Sequence, residues 1–435
     1  DDQVSTIANT GKINVGKSSY GIYGKDVNMI TGEINVADDG VGIYSTGPNV
    51  NLAGGKIDVA NNNSVGVYIA DDSKNPQVTT VTSSVDMKVG DTDSFGYLIT
   101  ASKAKTDLTI NPTANSIHVG EKSVYVYSGA PQSLGGKVIN KSDIVMDKNN
   151  GYGIYSSQDA QNYGSIDLRA GIGNIGIYST QGNSKNFGVI AVGPSNVTSK
   201  QYGIGMATGY YNEITKVSTN EGTIEVNSTI DKAATGTAQS VNIGMRSDNL
   251  NGGSTSSEVI NKDDGTVHGK ITIDGNYAIG MLTSNSKLTN TGTISSTDVK
   301  NGVGIAGINS ATVQNNGVVK VLGTGDTNNI GIFLNTNSTG TAPSGGALTQ
   351  SVEVSGNNST GVLVSGGSSL TMGGTVKATG NAVTGVVANN TTITLNGTGG
   401  VTVNNGTSAA GKATIKVAGP TPGSEVDAEK GSYGI

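Results

Sequence analysis

Gly11-Lys12-Ile13-Asn14-Val15-Gly16-Lys17-Ser18 matches in full the spacing of a phosphate-binding loop. In such a loop the glycines let backbone N–H groups cradle phosphates, and the Lys-Ser pair supplies charge and a Mg²⁺ ligand. That chemistry needs a strand before the loop and a helix after it. Here the middle of the match alternates apolar and polar residues as a strand does, and Gly32-Glu33-Ile34-Asn35-Val36 repeats it without Lys-Ser. Tyr20-Gly21-Ile22-Tyr23 stands where the helix should begin, so the nucleotide reading fails. Gly171 to Gly176 and Gly302 to Gly307 fit Gly-x-Gly-x-x-Gly, but no helix follows either. His118 and His268 are the only histidines and lie in different repeats, which leaves a zinc site or a Ser-His-Asp triad little to draw on. His118, at an outward position of Ile117-His118-Val119, reads as solvated. The acidic pairs Asp38-Asp39, Asp71-Asp72 and Asp263-Asp264 read as turn carboxylates, with weak Ca²⁺ sites as the alternative. No catalytic, metal-ligating or cofactor-binding residue is assigned, and no cofactor is expected.

The segments that would have to position any such chemistry are repeats. Val41-Gly42-Ile43-Tyr44 returns as Tyr20-Gly21-Ile22-Tyr23, Val65-Gly66-Val67-Tyr68, Tyr152-Gly153-Ile154-Tyr155 and Ile175-Gly176-Ile177-Tyr178. Looser copies include Val303-Gly304-Ile305, Ile330-Gly331-Ile332-Phe333, Thr360-Gly361-Val362 and Thr384-Gly385-Val386. A period of roughly 20 to 30 residues sustained along a chain is a solenoid signature. A second segment, Gly-x-Ile-x-Val, recurs at Gly11, Gly32 and Gly55, and later as Gly164 to Leu168, Gly222 to Val226 and Gly269 to Ile273. Its period-two alternation fits a half-buried strand. A third, weaker segment (Ser286 to Asn290, Ala311 to Asn315) often closes on Asn-x-Gly, read as a sharp corner because Asn and Gly tolerate positive φ. The expectation is an all-β chain, a parallel β-helix of three-strand coils, roughly 15 to 16 in number, with loop insertions.

Composition agrees. The chain has 435 residues with 66 Gly, no Cys, no Trp and a net charge of −6, which disfavours nucleic acid as a partner. There is no initiator Met, no signal peptide and no apolar span long enough to cross a membrane. The chain begins and stops inside a repeat, so it reads as a fragment whose export signal and anchor lie outside it. It is expected to be one continuous body over 1–435: regular coils 1–204, loop-rich coils 205–280, regular coils 281–386 and degenerate coils 387–435.

Two outward features follow from the alternation. Lys12, Glu33 and Lys56 should stack in adjacent coils as alternating charge beside a column of Asn14, Asn35 and Asp58. If Ile43 points inward, Tyr44 points outward, so Tyr23, Tyr44, Tyr68, Tyr127, Tyr155 and Tyr178 should form an aromatic ladder, either for stability or as a sugar- or protein-binding strip. Leu98, Phe333, Leu363 and Val387 continue the column, and Gly205, Gly244 and Gly280 are read as vacating it. Insertions within 206–240, 246–258 and 336–349 are expected to emerge as loops. Tyr210 and Tyr211, in the first, are the candidate ligand-contact residues.

The Gly-Ile-Tyr coils and Asn-x-Gly-x-Ile corners resemble the passenger domains of very large type V autotransporter adhesins, those of fusobacteria (RadD-like) in particular. The resemblance implies a right-handed parallel β-helix, display on the bacterial cell surface, an outer-membrane anchor formed by a C-terminal barrel outside this chain, and a monomer. It also implies adhesion to surface proteins or glycans of other bacteria or host cells. A passive stalk is the alternative, and a polysaccharide-degrading β-helix enzyme a more distant one; the chain is expected not to be an enzyme.

Overall fold

A computed structural model describes residues 4–70, 78–112, 116–196, 198–209, 216–227, 241–249, 257–344, 352–373, 375–389, 391–395, 400–405 and 412–416. Among these residues the chain is all-β, its only helical turn being a single 3-10 turn at Gln132–Leu134. It divides into two compact units: Asp1–Pro194 with Ser199–Ala207 and Lys216–Ser218, and Ser195–Thr198 with Thr208–Thr215 and Thr219–Ile435.

In the first unit the coils from Val41 onward carry three strands, while the coil before them carries two because Asp26–Val36 runs on through its corner. One coil runs through Val41–Ser45, Asn49–Leu52 and Lys56–Val59 before Val65–Ile69 begins the next. Every strand pairs parallel and in register with its equivalent one coil on: Ile43 with Val67, Val50 with Val81, Ile57 with Met87. The alternation read from sequence holds, since Ile43, Leu52 and Ile57 are fully buried and Val50 nearly so. Each such side chain contributes about 1.5–3 kcal/mol of burial, and the column of them is the core.

The second unit repeats this plan with Val303–Ile308, Thr312–Asn315 and Val318–Val321, and the register continues Ile305 to Ile332, Val313 to Gly340 and Val319 to Val352. Its last described strand departs from the plan. Lys412–Lys416 pairs antiparallel with Gly400–Asn405, although 387–435 was expected to hold further, degenerate coils. Alternation reports which face a residue takes; it carries no information on strand direction. Fourteen copies of the Gly-Ile-Tyr strand are described, against the 15 to 16 coils expected, because the coils that begin at Ile204 and Ile243 absorb many more residues than the short ones.

Two columns explain residues that the motif left unexplained. Gly21, Gly42 and Gly66 stack so closely that a Cβ on Gly42 would stand 2.6 Å from the Gly66 carbonyl oxygen and 3.1 Å from Val36 Cγ2. In the second unit Gly280, Gly304 and Gly331 do the same. None of these glycines has positive φ, so space and not backbone freedom requires them. This corrects the reading of Gly205, Gly244 and Gly280. They lie in the glycine column, Met206, Met245 and Met281 take the inward place, and Arg246 and Leu282 hold the ladder position one residue later.

The Asn-x-Gly corner is also built differently from expectation. Its asparagines do not adopt positive φ; they point inward, fully buried. In the first unit Asn140 Nδ2 donates to Asn162 Oδ1 and Asn162 Nδ2 to Asn186 Oδ1, both at 2.9 Å. In the second, Asn220, Asn261, Asn290 and Asn315 form the same ladder at 2.7–2.9 Å. Asn140, Asn162, Asn186 and Asn220 also fold onto their own corners, as when Asn162 Nδ2 donates to the Gly164 carbonyl at 2.9 Å. Where no asparagine is available, Gly32 and Gly55 turn the chain with φ of 110° and 101°. The left-handed residues that sequence placed here lie one corner away, before the Gly-Ile-Tyr strand, at Asp39, Asn62, Asn63, Thr92, Asp93, Lys122 and Asn150.

Candidate interaction face

Strand alternation sends the fourth residue of each Gly-Ile-Tyr strand outward, and parallel in-register pairing puts successive copies one coil apart. Tyr23 and Tyr44 stack with centroids 5.2 Å apart and planes 6° apart, and Tyr44 meets Tyr68 edge-on at 4.9 Å. Leu98 bridges in register to Tyr127, which stacks on Tyr155 at 5.0 Å and 11°; Tyr155 then meets Tyr178 at 5.0 Å and 30°. The expected ladder is present in the first unit. The first residues of the same strands form a second column, Tyr20, Val41, Val65, Phe95, Val124, Tyr152 and Ile175, in which Val65 and Val124 are buried. Tyr20 and Tyr152 pack edge-on against ladder rings at 5.3–6.1 Å. Neither column carries a charge.

The other outward surfaces of the unit contrast with this face. Lys12 Nζ lies 2.9 Å from Glu33 Oε1, holding that carboxyl below its usual range, and Asn35 Nδ2 donates to Asn14 Oδ1 at 3.1 Å. Lys56 is in register with Glu33 as expected, but its ammonium pairs with Asp58 of its own strand at 2.7 Å. Exposed pairs of this kind, screened by solvent, add little to stability. A pattern of apolar outward positions beside polar ones is what marks a sheet face for contact.

In the second unit the equivalent columns hold Ile279, Val303 and Ile330, and Leu282, Ala306, Phe333 and Leu363. Arg246 is the charge on that face, with its Nε 2.6 Å from Asp248. A further aromatic pair, Tyr163 on Phe187 at 4.6 Å and 12°, occupies the middle residue of two Asn-x-Gly corners, with Lys185 Nζ 6.0 Å from the Phe187 ring.

The residues singled out for chemistry fall as follows. The phosphate-loop match runs along the strand Val4–Val15 into a turn and then the strand Tyr20–Gly24, with Lys17 3.4 Å from Asp39. Asp38 and Asp39 accept from Asn62 and Asn63, and Asp264 caps its own turn while bound by Lys262 at 3.0 Å. His268 contacts Asp263 at 3.1 Å. His118 is outward and exposed, but it is not alone. Its Nδ1 lies 2.9 Å from Asp147 and its Nε2 3.4 Å from Ser116 Oγ, a connectivity that sequence missed because Asp147 sits one coil away. Attack by a serine needs a water-excluded site with oxyanion donors, whereas here the His118 and Asp147 side chains are 47% and 42% exposed on an open strand. Among the described residues no group of three or more His, Asp or Glu is placed to hold a metal. Tyr210 and Tyr211 lie outside the described residues, as do Asp71, Asp72 and 210–215, 228–240, 250–256 and 345–349 of the insertions. Val217–Asn220, Thr223–Val226 and Thr339–Ser344, inside ranges expected to emerge as loops, are strands paired into the coils.

Comparison with protein-family models, with curated proteins and with solved structures finds no match to this chain.

Proposed function

We propose that the chain is a segment of an adhesin displayed on the bacterial surface after export across the outer membrane. It attaches that cell to other bacteria or to host cells by binding surface proteins or glycans. The observation that carries the reading is the uncharged, tyrosine-lined outward face of the first unit, set among surfaces of paired charges and amides. Tyrosine supplies a large rigid contact area with a polar tip, which is why it is enriched where proteins bind one another. No helix among the described residues is long and apolar enough to cross a membrane; in this reading a C-terminal outer-membrane barrel is the anchor. The role is binding without catalysis, consistent with carboxylates such as Asp39, Asp58 and Asp91 being engaged by lysines.

The test is attachment of the purified chain to bacteria and host cells, beside a Tyr44→Lys/Tyr155→Lys variant and a variant with 206–240 and 246–258 shortened to a minimal coil. Binding that is lost when the face is charged supports the reading. Loss only on shortening moves the contact to the insertions. An intact chain that binds no cell sinks the proposal and leaves a stalk.

A further inference from the structure

We infer that the tyrosine ladder of the first unit is an oxidative cross-linking site, at which stacked rings of successive coils join as dityrosine. The inference is independent of the proposed function and needs no partner protein.

Composition decides where an oxidant can act. Cysteine, tryptophan, methionine and tyrosine are the side chains most readily oxidised, and this chain has no Cys and no Trp. All seven of its methionines are buried. The ladder, by contrast, sends its tyrosines outward, with Tyr23 67% exposed and Tyr44, Tyr127, Tyr155 and Tyr178 half-buried. An oxidant arriving from solvent therefore meets phenols first.

Ring geometry decides which phenols couple. Two phenoxyl radicals join through the faces of their rings, because the new bond between ortho carbons starts perpendicular to both planes. Tyr23 lies over Tyr44 with centroids 5.2 Å apart and planes 6° apart. Tyr127 lies over Tyr155 at 5.0 Å and 11°, and Tyr155 over Tyr178 at 5.0 Å and 30°. In-register pairing of the strands holds each of these alignments from the backbone. Tyr20, Tyr68 and Tyr152 meet ladder rings edge-on, at 68–85°, where faces do not overlap. Leu98 stands in register between Tyr68 and Tyr127 and forms no phenoxyl radical, so it separates the two stacked runs.

Hydrogen peroxide acting through a peroxidase supplies the oxidising equivalents. Each of two tyrosines gives up one electron and its phenolic proton, and the two radicals form one carbon–carbon bond. The ring hydrogens at the joined carbons pass to the phenolic oxygens as the rings regain aromaticity. The electrons and protons cleave the O–O bond of one peroxide, which leaves as two waters. Each link ties together coils otherwise held only by hydrogen bonds and packing, and so restricts the opened state.

The experiment treats the purified chain with hydrogen peroxide and a haem peroxidase at low protein concentration, and reads dityrosine fluorescence, intact mass and peptide maps. Fluorescence should rise while the chain stays monomeric on denaturing gels, with the mass of one H₂ lost per link. Links should join Tyr23 to Tyr44, and Tyr155 to Tyr127 or Tyr178. Tyr163, exposed but stacked on Phe187, and the buried pair Tyr97 and Tyr125 should stay unlinked. Amides of linked coils should exchange at least about tenfold more slowly. Tyr44→Phe/Tyr155→Phe keeps the packing and should abolish the intrachain links, whereas Leu98→Tyr should add one from position 98 to Tyr68 or Tyr127. Absence of dityrosine overturns the inference, as do links that form only between chains or that fall on exposed tyrosines regardless of stacking. An unchanged yield in Tyr44→Phe/Tyr155→Phe overturns it as well.

Discussion

Replacing Asn162 by alanine removes three hydrogen bonds from the interior of the first unit. Asn162 Oδ1 no longer accepts from Asn140, and its Nδ2 no longer reaches Asn186 Oδ1 or the Gly164 carbonyl, each 2.9 Å away. Asn140 keeps its bond to the Ser142 carbonyl, and the Gly164 carbonyl keeps the Val189 N–H at 3.3 Å, so what is lost is the three bonds themselves. Each buried hydrogen bond removed costs about 1–1.5 kcal/mol, so the variant should lose about 3–4 kcal/mol. Asn35→Ala breaks a superficially identical bond, to Asn14 at 3.1 Å, but on the exposed face, and should cost at most about 0.5 kcal/mol.

Stacked repeats do not unfold as one unit, so a single melting curve would blur this contrast. Native-state hydrogen exchange read by mass spectrometry resolves it coil by coil. In Asn162→Ala, peptides covering 138–190 should exchange at least about a hundredfold faster, and in Asn35→Ala no peptide should change more than about twofold. Asn162→Asp sharpens the test, because a carboxylate buried among acceptors has its pKa raised on folding. The folded state therefore favours the protonated form: that variant should be most stable below about pH 4 and lose protection as pH rises toward neutral. Equal protection in Asn162→Ala and Asn35→Ala would refute the claim that the buried ladder holds the corner.

Three further outcomes are expected. Gly42→Ala brings a methyl to 2.6 Å from the Gly66 carbonyl oxygen and should destabilise by about 1–3 kcal/mol or more in denaturant titration. Gly16→Ala, whose nearest neighbour is Ser19 Oγ at 3.7 Å, should stay within about 0.5 kcal/mol. Burial pushes the Tyr97 hydroxyl up to about 12 against the opposing pull of Ser83, and pushes Tyr125 up as well. Stability from Tyr97 is thus complete below about pH 10 and falls by about 2–3 kcal/mol as pH rises toward 12; thermal melts of Tyr97→Phe should show a shallower alkaline decline, and an unchanged slope would refute this. Tyr155→Ala loses ring contacts with Tyr127, Tyr178 and Tyr152 and should cost about 2 kcal/mol by urea titration, more than Tyr23→Ala at the exposed end of the ladder.

What could be read from the sequence followed from how few conformations satisfy each pattern. Alternation at Ile43-Tyr44 or Ile57-Asp58 admits one solution, in which the apolar residue is buried and its neighbour is not, so the coils and the outward ladder were legible. Asparagine before a corner admits two. It can take positive φ, as Asn62 and Asn63 do, or stay extended and turn its amide inward, as Asn162 does. Both raise the frequency of Asn near glycine, and only the presence of a matching Asn one coil away separates them: Asn140, Asn162 and Asn186 recur in step because each needs the next as acceptor. The glycine column hid behind its own regularity. Gly205, Gly244 and Gly280 looked like gaps in the tyrosine column, but a glycine that must clear the next coil's carbonyl cannot move by one residue, whereas the ladder position accepts Tyr, Leu, Phe, Ala or Arg. Register in this solenoid is therefore anchored by its most crowded position, and the outward residue beside it is left free to diverge into a contact surface.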